Sequence, residues 1–350
     1  MKNLSCAKGL CIGLILFAAF YACKKDLLFL EFNVKQTNLV ADTAGYDATR
    51  LDPNLLNAWG IAAPPNGPIW ISANHAGLSV IYDRNGQQLR PPVTIPSLTA
   101  GQPGAPSGMV FNGTTDFGGN KFIFASEEGI IAGWSSGNAA VKVADRSSFN
   151  AVYKGLTIAN DGTANFLYVT NFKNSKIDVF DKDFNYVTDK PFSDPGIPAG
   201  FGPFNIQNIS GNLYVTYAKL KAPDNMDDQA GPGNGYVDIF TPQGQLVKRF
   251  ASQGPLNSPW GIALAPAGFA DEGPTILIGN FGDGRINVFG MAGHFKGQLR
   301  MHGKPITIDG LWAIDFLEGN VPGGSPSDPL YFTAGPNEES HGLFGYLKKE

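Results

Sequence analysis

The sequence has few cysteines, few charged residues and no basic cluster. Its 350 residues include three cysteines, and Cys6 and Cys11 fall in an apolar N-terminal segment. A chain that loses this segment and modifies Cys23 would keep no disulfide, no thiol nucleophile and no thiolate metal ligand. Charged residues make up 16% of the chain, and the net charge is -4. A mildly acidic chain without a Lys/Arg face argues against nucleic acid as a partner.

Turn-forming residues are abundant instead. The chain contains 44 glycines and 25 prolines, a density that long helices do not tolerate. Hydrophobic residues still account for 43% and aromatic residues for 12%, enough to build a large core. This composition excludes wholesale disorder and collagen-like repeats and predicts a turn-rich, mostly β protein.

The N-terminus has the pattern of an export signal. Lys2 and Lys8 precede an uncharged apolar run over residues 9–22, which is short for a membrane span. The run ends in Ala22-Cys23, which resembles the lipobox of bacterial lipoproteins, although Phe20 departs from the usual leucine. The resemblance implies that residues 1–22 are removed, that Cys23 is lipidated and that residues 23–31 form a short tether. The alternative is an ordinary signal peptide with a chance cysteine.

The residues after Cys23 bear on location. Cys23 is followed by Lys24, Lys25 and Asp26, a start similar to the export tags on surface lipoproteins of some Gram-negative bacteria. The resemblance implies a lipid-anchored protein of the cell envelope, held at the outer membrane, with the cell surface as one option. The lipid anchor would make the membrane its first partner.

An internal repeat organises the rest of the chain. The clearest pair of copies is residues 56–62 and 256–263, which share Leu-Asn and Trp-Gly-Ile-Ala. Weaker copies are centred on Gly108, Gly155, Asn205 and Ala313. The six copies recur roughly every 50 residues, which is a spacing typical of propeller blades.

Each copy is followed by further strand-like segments. A second run such as Leu-Tyr-Val-Thr at 167–170 precedes a third with period-two alternation, such as Ile-Asp-Val-Phe at 177–180. A hairpin and a fourth segment complete the unit. We therefore predict an all-β, six-bladed β-propeller with four-stranded antiparallel blades as a single domain over residues 32–350. The last copy lacks a fourth strand, and an N-terminal strand over residues 32–40 is expected to complete that blade and close the ring.

The motifs resemble those of six-bladed propellers with NHL-like repeats, and of a group of uncharacterised secreted bacterial propeller proteins. The matching stretches lie at both ends of the predicted domain: Asn38-Leu39-Val40, Asp52-Pro53-Asn54-Leu55, Asn57-Ala58-Trp59-Gly60-Ile61 and His341-Gly342-Leu343-Phe344-Gly345. The resemblance spans nearly all of the chain after Cys23. It implies the fold and no particular activity, since propellers host enzymes, receptors and scaffolds.

Loops that enter each first strand and loops between second and third strands gather at one mouth of a propeller channel. The predicted ligand-binding residues there are Asn57, His75, Ser107, Asn171, Asn205, Asn280, Asp283 and His341, and Glu127 and Glu339 belong to the same loops. These amides and carboxylates suit a polar small molecule, a glycan or a cation. Ordinary solvated turn residues are the alternative.

The segment 219–235 lengthens one of these loops and carries Asp224, Asp227 and Asp228. A long loop on a rigid scaffold suits recognition or an irregular calcium site, and the alternative is a solvated charged loop.

Metal-dependent lactonases of the gluconolactonase type are also six-bladed propellers, and they bind a divalent cation in the channel. Their chemistry needs a carboxylate that reaches the channel. Asp315 is the one acidic residue of the first strands, so Asp315, Asn205 and Asn280 are the best candidate ligands for calcium or zinc. No other cofactor is predicted. Trp59, Trp260 and Trp312 recur at equivalent points, where they suit packing between blades or stacking on a sugar.

These observations favour a lipid-anchored binding module of the cell envelope that presents its channel mouth to a glycan, a small polar ligand or a protein. Two alternatives stay open. One is a divalent-metal-dependent hydrolase or lyase of the lactonase type, for which the pattern identifies no catalytic residue. The other is a structural adaptor without a channel ligand.

Overall fold

The computed structural model describes residues 32–317 and 324–350, and these form a ring of six β-sheets. The predicted all-β, six-bladed propeller with four-stranded antiparallel blades is confirmed. The predicted signal segment 1–22 and the tether 23–31, including Cys23, lie outside the described residues.

Two strands precede the first blade, β1 (Val34–Ala41) and β2 (Arg50–Leu51). The next eight strands form blades 1 and 2, and in each blade the first strand is the innermost. Blade 1 contains β3 (Ala58–Ala62), β4 (Ile69–Ala73), β5 (Leu78–Tyr82) and β6 (Val93–Thr94). Blade 2 contains β7 (Pro106–Phe111), β8 (Phe122–Ser126), β9 (Ile130–Trp134) and β10 (Val141–Asp145).

Blades 3 to 5 repeat this order from the channel outward. Blade 3 contains β11 (Tyr153–Asn160), β12 (Asn165–Asn171), β13 (Lys176–Phe180) and β14 (Tyr186–Val187). Blade 4 contains β15 (Phe201–Ile209), β16 (Asn212–Lys219), β17 (Gly235–Phe240) and β18 (Leu246–Ser252). Blade 5 contains β19 (Pro259–Ala265), β20 (Thr275–Asn280), β21 (Ile286–Gly290) and β22 (Phe295–Gln298).

The last blade joins the two ends of the described chain. After a short hairpin of β23 (Arg300–Met301) and β24 (Lys304–Pro305), blade 6 contains β25 (Leu311–Asp315), β26 (Leu330–Ala334) and β27 (Leu343–Lys349). The fourth strand is β1, which pairs antiparallel with β27 from Val34 opposite Lys349 to Ala41 opposite Leu343. The expected ring closure is present, and β2 adds a short parallel strand outside β1.

The inner strands are buried on both faces because each blade packs against two neighbours. All five residues of β3 and all seven of β19 are buried. The spacing is so close that a Cβ on Gly60 would lie 2.5 Å from the carbonyl oxygen of Ser107, and a Cβ on Gly155 would lie 2.1 Å from Oδ1 of Asn205. Glycine at the centre of these repeats therefore lets adjacent inner strands approach each other.

Helical structure is confined to single 3₁₀ turns in the described residues. They lie in connections between strands, at Asn74–Ala76, Phe117–Gly119 and Ser147–Phe149. Within residues 32–317 and 324–350, no helix has the length and apolar character needed to cross a bilayer.

Candidate functional site

One residue before the centre of each repeat, the inner strands carry six equivalent positions around the channel. Three of these positions hold tryptophans, and the full set is Trp59, Ser107, Lys154, Phe204, Trp260 and Trp312. The Trp59 and Trp312 rings stack with centroids 3.7 Å apart, and the Trp260 ring meets both edge-on. The tryptophans pack between blades, as one of the two sequence interpretations expected, and they fill the channel with an aromatic core.

Lys154 is the one charged residue at these six positions. Its side chain is 2% exposed, and its ammonium lies 5.1 Å from the centroid of the Trp59 ring. It forms an ion pair with Glu127 and a second one, of 3.3 Å, with Asp227. A buried ammonium is tolerated only when counterions and hydrogen bonds replace its water. Burial acts to lower the pKa of Lys154, but the facing carboxylates outweigh it and keep the pKa above its usual value.

Two buried asparagines hold the carboxylates around Lys154. Nδ2 of Asn74 donates to Oε2 of Glu127 over 3.0 Å and also to the Pro106 carbonyl. Nδ2 of Asn57 donates to Oε2 of Glu339 over 2.7 Å, and Oδ1 of Asn57 accepts from Nε1 of Trp312 over 2.9 Å. The amides therefore fix both glutamates relative to the aromatic core.

Glu339 reaches the mouth from a strained turn. Asn337, Glu338 and Glu339 have φ values of 56°, 52° and 65°, the left-handed region that side chains other than glycine rarely adopt. Burial, with the nearby charge of Glu127, raises the pKa of Glu339 to about 7. Strained backbone and a shifted carboxyl pKa both cluster at functional sites in proteins.

The long loop between β16 and β17 supplies the remaining carboxylate. Leu220 pairs with Asp228 in an isolated antiparallel bridge, so the loop folds back on itself. This fold brings Asp227 to Lys154, and burial raises the pKa of Asp228. We define the mouth site as the six residues Asn57, Asn74, Glu127, Lys154, Asp227 and Glu339.

Of the eight residues predicted to bind ligand, Asn57 belongs to the mouth site. Several others bond to nearby groups of the fold. Ser107 donates to the Tyr153 carbonyl over 2.8 Å, and Asn171 donates to Asp178 over 2.9 Å. His341 contacts Asp42 over 2.8 Å, whereas His75 is exposed on its 3₁₀ turn.

The three predicted metal ligands are not brought together. Asn205 and Asp315 line one narrow cavity of about 30 Å³ inside the channel, where Nδ2 of Asn205 donates to the Trp260 carbonyl. Asn280 instead donates to the Pro255 carbonyl over 2.8 Å and to Asp283 over 3.0 Å. Across residues 32–317 and 324–350, no three His, Cys, Asp or Glu side chains are grouped to hold a metal ion.

Sequence reasoning included Glu127 and Glu339 among the mouth loops but missed Lys154 and Asn74. One signal for Lys154 was present, because a lysine occupies a repeat position that otherwise carries tryptophan, phenylalanine or serine. Asn74 gave no such signal, since asparagine is common in turns.

Comparisons with other sequences find relatives in a giant virus. The chain is 34% identical over 322 residues to the uncharacterised protein L690 of Acanthamoeba polyphaga mimivirus, a match that covers 87% of the chain and 83% of the viral protein. It is 33% identical over 337 residues to the uncharacterised protein R648 of the same virus, covering 89% and 80%. No family model matches the sequence.

Solved structures with this fold are more distant. A Bacteroides thetaiotaomicron protein of unknown function has a TM-score of 0.57 at 13% identity, covering 90% of this chain and 76% of that one. Virginiamycin B lyase from Staphylococcus aureus has a TM-score of 0.52 at 14% identity, covering 91% and 99%. A protein assigned as a gluconolactonase has a TM-score of 0.51 at 15% identity, covering 85% and 90%. These likenesses establish the propeller fold, whereas the relation to secreted bacterial proteins stays a prediction.

The ion pairs of Lys154 lead to a stability prediction. Replacing Lys154 with methionine leaves the Glu127 carboxylate without its buried counterion, which costs about 3 to 5 kcal/mol in comparable pairs. We expect the Lys154→Met variant to lose that much free energy of unfolding, measured by urea denaturation at pH 7. The control is Lys142→Met, because Lys142 pairs with Asp145 at an exposed site and should change stability by about 0.5 kcal/mol or less. An equal loss of unfolding free energy in the two variants would show that the ion pairs of Lys154 do not stabilise the fold.

The raised pKa of Glu339 predicts a dependence of stability on pH. Between the usual pKa of 4.5 and the folded value of about 7, the folded chain binds a proton that the unfolded chain releases. The free energy of unfolding should therefore fall as pH rises through this range because of Glu339. Denaturation from pH 4 to 8 should show this fall in the unmodified chain and in Glu338→Gln, a control at the exposed neighbouring position, and a smaller fall in Glu339→Gln. The idea fails if all three profiles have the same shape.

Proposed function

The chain belongs to the same protein family as L690 and R648 of mimivirus, and from this premise and the mouth geometry we propose that it binds a small polar ligand at the mouth of its propeller channel. The observation that carries the proposal is the combination of a fully buried lysine and a half-buried glutamate with a strained backbone at that mouth. Neither arrangement is the simplest way to hold the blades together, since a fully apolar set of residues in place of a whole buried ion pair is often as stable or more stable, and a left-handed backbone costs free energy.

The charges of the mouth site indicate the chemistry of the ligand. Glu127, Asp227 and Glu339 face a single cation, Lys154, which two of these carboxylates already neutralise. An anionic ligand would meet excess negative charge. Hydroxyl or ammonium groups could instead donate to the carboxylates, and the amides of Asn57 and Asn74 could adjust their hydrogen bonds to the ligand. We therefore propose a neutral polyol, such as a short glycan, or a small organic cation.

A second candidate function is acid–base catalysis at the same place. A pKa of about 7 would allow Glu339 to give or take a proton at neutral pH, which general acid–base catalysis requires. Glu339 would act on the bound ligand in a hydrolase or lyase reaction, and Lys154 would balance the charge that forms beside it. This candidate differs from a lactonase with a channel metal, for which the described residues offer no grouped ligands.

One experiment tests binding and separates the two candidates. Neutral oligosaccharides, spermidine and citrate would be screened by isothermal titration against residues 24–350 and against the Glu339→Gln and Asp315→Asn variants. We expect a polyol or spermidine to bind, citrate not to bind, and Glu339→Gln to weaken binding at least about tenfold, or about 1.4 kcal/mol. Asp315→Asn is the control, because Asp315 lines the narrow channel cavity rather than the mouth site. Mass spectrometry of the same mixtures would reveal turnover if the protein is an enzyme, and no binding to any glycan or cation would favour the adaptor alternative.

We also propose that the protein is anchored in a bacterial cell envelope through lipid on Cys23. The support is the sequence pattern of Lys2, Lys8 and the apolar run before Cys23. Intact mass measurement of the protein from bacterial membranes should give a chain that begins at Cys23 and carries a diacylglyceryl group. The Cys23→Ser variant should keep residues 1–22 and lose the lipid mass. A wild-type chain that is cut elsewhere and carries no lipid would refute the anchor.

A further inference from the structure

A second cavity opens between blades 1 and 2, on the face of the ring opposite the mouth site. Its walls come from the connections between first and second strands and from the segment after β5. The volume is about 700 Å³, which lies within the usual range of small-molecule sites. We call it the blade 1–2 cleft, and its apolar lining residues are Pro64, Pro68, Trp70, Ile81, Leu89, Phe111, Phe122 and Trp134. No residue of the mouth site lines it.

Aromatic rings form the floor of the cleft. The Trp70 and Phe122 rings stack with centroids 4.1 Å apart at 19°, and the Trp134 ring lies 4.5 Å from the Trp70 ring at 51°. Because these rings pack against one another, they are already ordered in the free protein. Binding a ligand against them therefore costs little side-chain entropy. Leu89 contributes an apolar rim that is 52% exposed.

The charged residues of the cleft are all of one sign. Arg90 and Lys121 line it, and its lining contains no aspartate or glutamate. The Arg90 guanidinium lies 5.1 Å from the centroid of the Trp134 ring, and its Nη2 donates to two neutral oxygens, the Gly137 carbonyl at 2.6 Å and Oδ1 of Asn138 at 3.2 Å. In the described part of the chain, neither Arg90 nor Lys121 has a carboxylate within ion-pair distance. The cleft therefore presents uncompensated positive charge beside an apolar floor.

Two buried donors in the same residues lack an acceptor. Nε1 of Trp70 and Nε of Arg90 are both shielded from solvent and form no hydrogen bond within the described residues. The cleft is lined by the Arg90 side chain, and its positive charge favours an anionic group on a ligand.

We propose that the blade 1–2 cleft binds a small amphipathic carboxylate, with an apolar body against the aromatic floor and a carboxylate paired with Arg90. Each part of the cleft has a matching part of this ligand. The rings and Leu89 exclude water from the apolar body, and the Arg90 guanidinium supplies the positive charge that pairs with the carboxylate. The same ligand would be repelled by the mouth site, so the two sites take compounds of opposite character.

The test uses 2-naphthoate as the probe and isothermal titration as the measurement. We expect 2-naphthoate to bind the protein and 2-naphthylmethanol, which has the same ring without the charge, to bind at least about tenfold more weakly. Arg90→Gln should lower naphthoate affinity to the level of the neutral analogue. Glu339→Gln should leave naphthoate binding unchanged, because that residue belongs to the mouth site.

NMR spectra of the unmodified protein show where the probe binds through the indole N–H resonances. This measurement does not depend on whether a variant folds. The five tryptophans give five indole signals, and naphthoate should shift those of Trp70 and Trp134 and leave Trp59, Trp260 and Trp312 in place. The proposal is overturned if naphthoate fails to bind at about 1 mM, if the neutral analogue binds equally well, or if the shifts fall on the channel tryptophans.

Discussion

The pairing of β1 with β27 is the contact on which the rest of this structure depends. It joins strands that lie more than 290 residues apart in sequence, from Val34 opposite Lys349 to Ala41 opposite Leu343. Without it, blade 6 would have three strands and the ring would end in an exposed edge. Closure also sets the distance between blades 1 and 6. It therefore places Asn57, at the start of blade 1, within a hydrogen bond of 2.7 Å of Glu339 in blade 6. The mouth site exists only in a closed ring.

Closure of the ring also buries a lysine in an otherwise mostly apolar channel, and the carboxylates of the mouth site compensate its charge. Six inner strands meet at the channel, and each contributes one residue at an equivalent position, so apolar rings are the simplest filling. The chain places tryptophan at three of these positions and phenylalanine at a fourth, but blade 3 contributes Lys154. A charge at that depth is held only because Glu127 of blade 2 and Asp227 of the blade 4 loop turn toward it. The charged groups at the mouth thus come from several blades, as expected of a binding surface on a rigid scaffold.

The two candidate sites show how one repeat serves different chemistry on its two faces. At the mouth, three carboxylates, one lysine and two amides sit above the aromatic core. At the opposite face, the cleft between blades 1 and 2 combines aromatic walls with Arg90 and Lys121. The relatives in mimivirus share enough sequence to share the fold, whereas the solved propellers of similar shape are below 16% identical and share the architecture alone.

The sequence by itself determined the all-β fold class, the number of blades and the mode of ring closure. Period-two alternation and a repeat of roughly 50 residues are patterns that can be recognised in the chain without tertiary information. It also indicated the loops that form the mouth, including those of Asn57, Glu127 and Glu339. The tertiary structure alone decided which residues meet there. Ser107 and Asn171 bond to nearby groups of the fold, while Lys154 and Asp227 converge from separate blades. That convergence depends on how the loop between β16 and β17 folds back and on the left-handed turn at residues 337–339, and neither leaves a periodic signal in the chain.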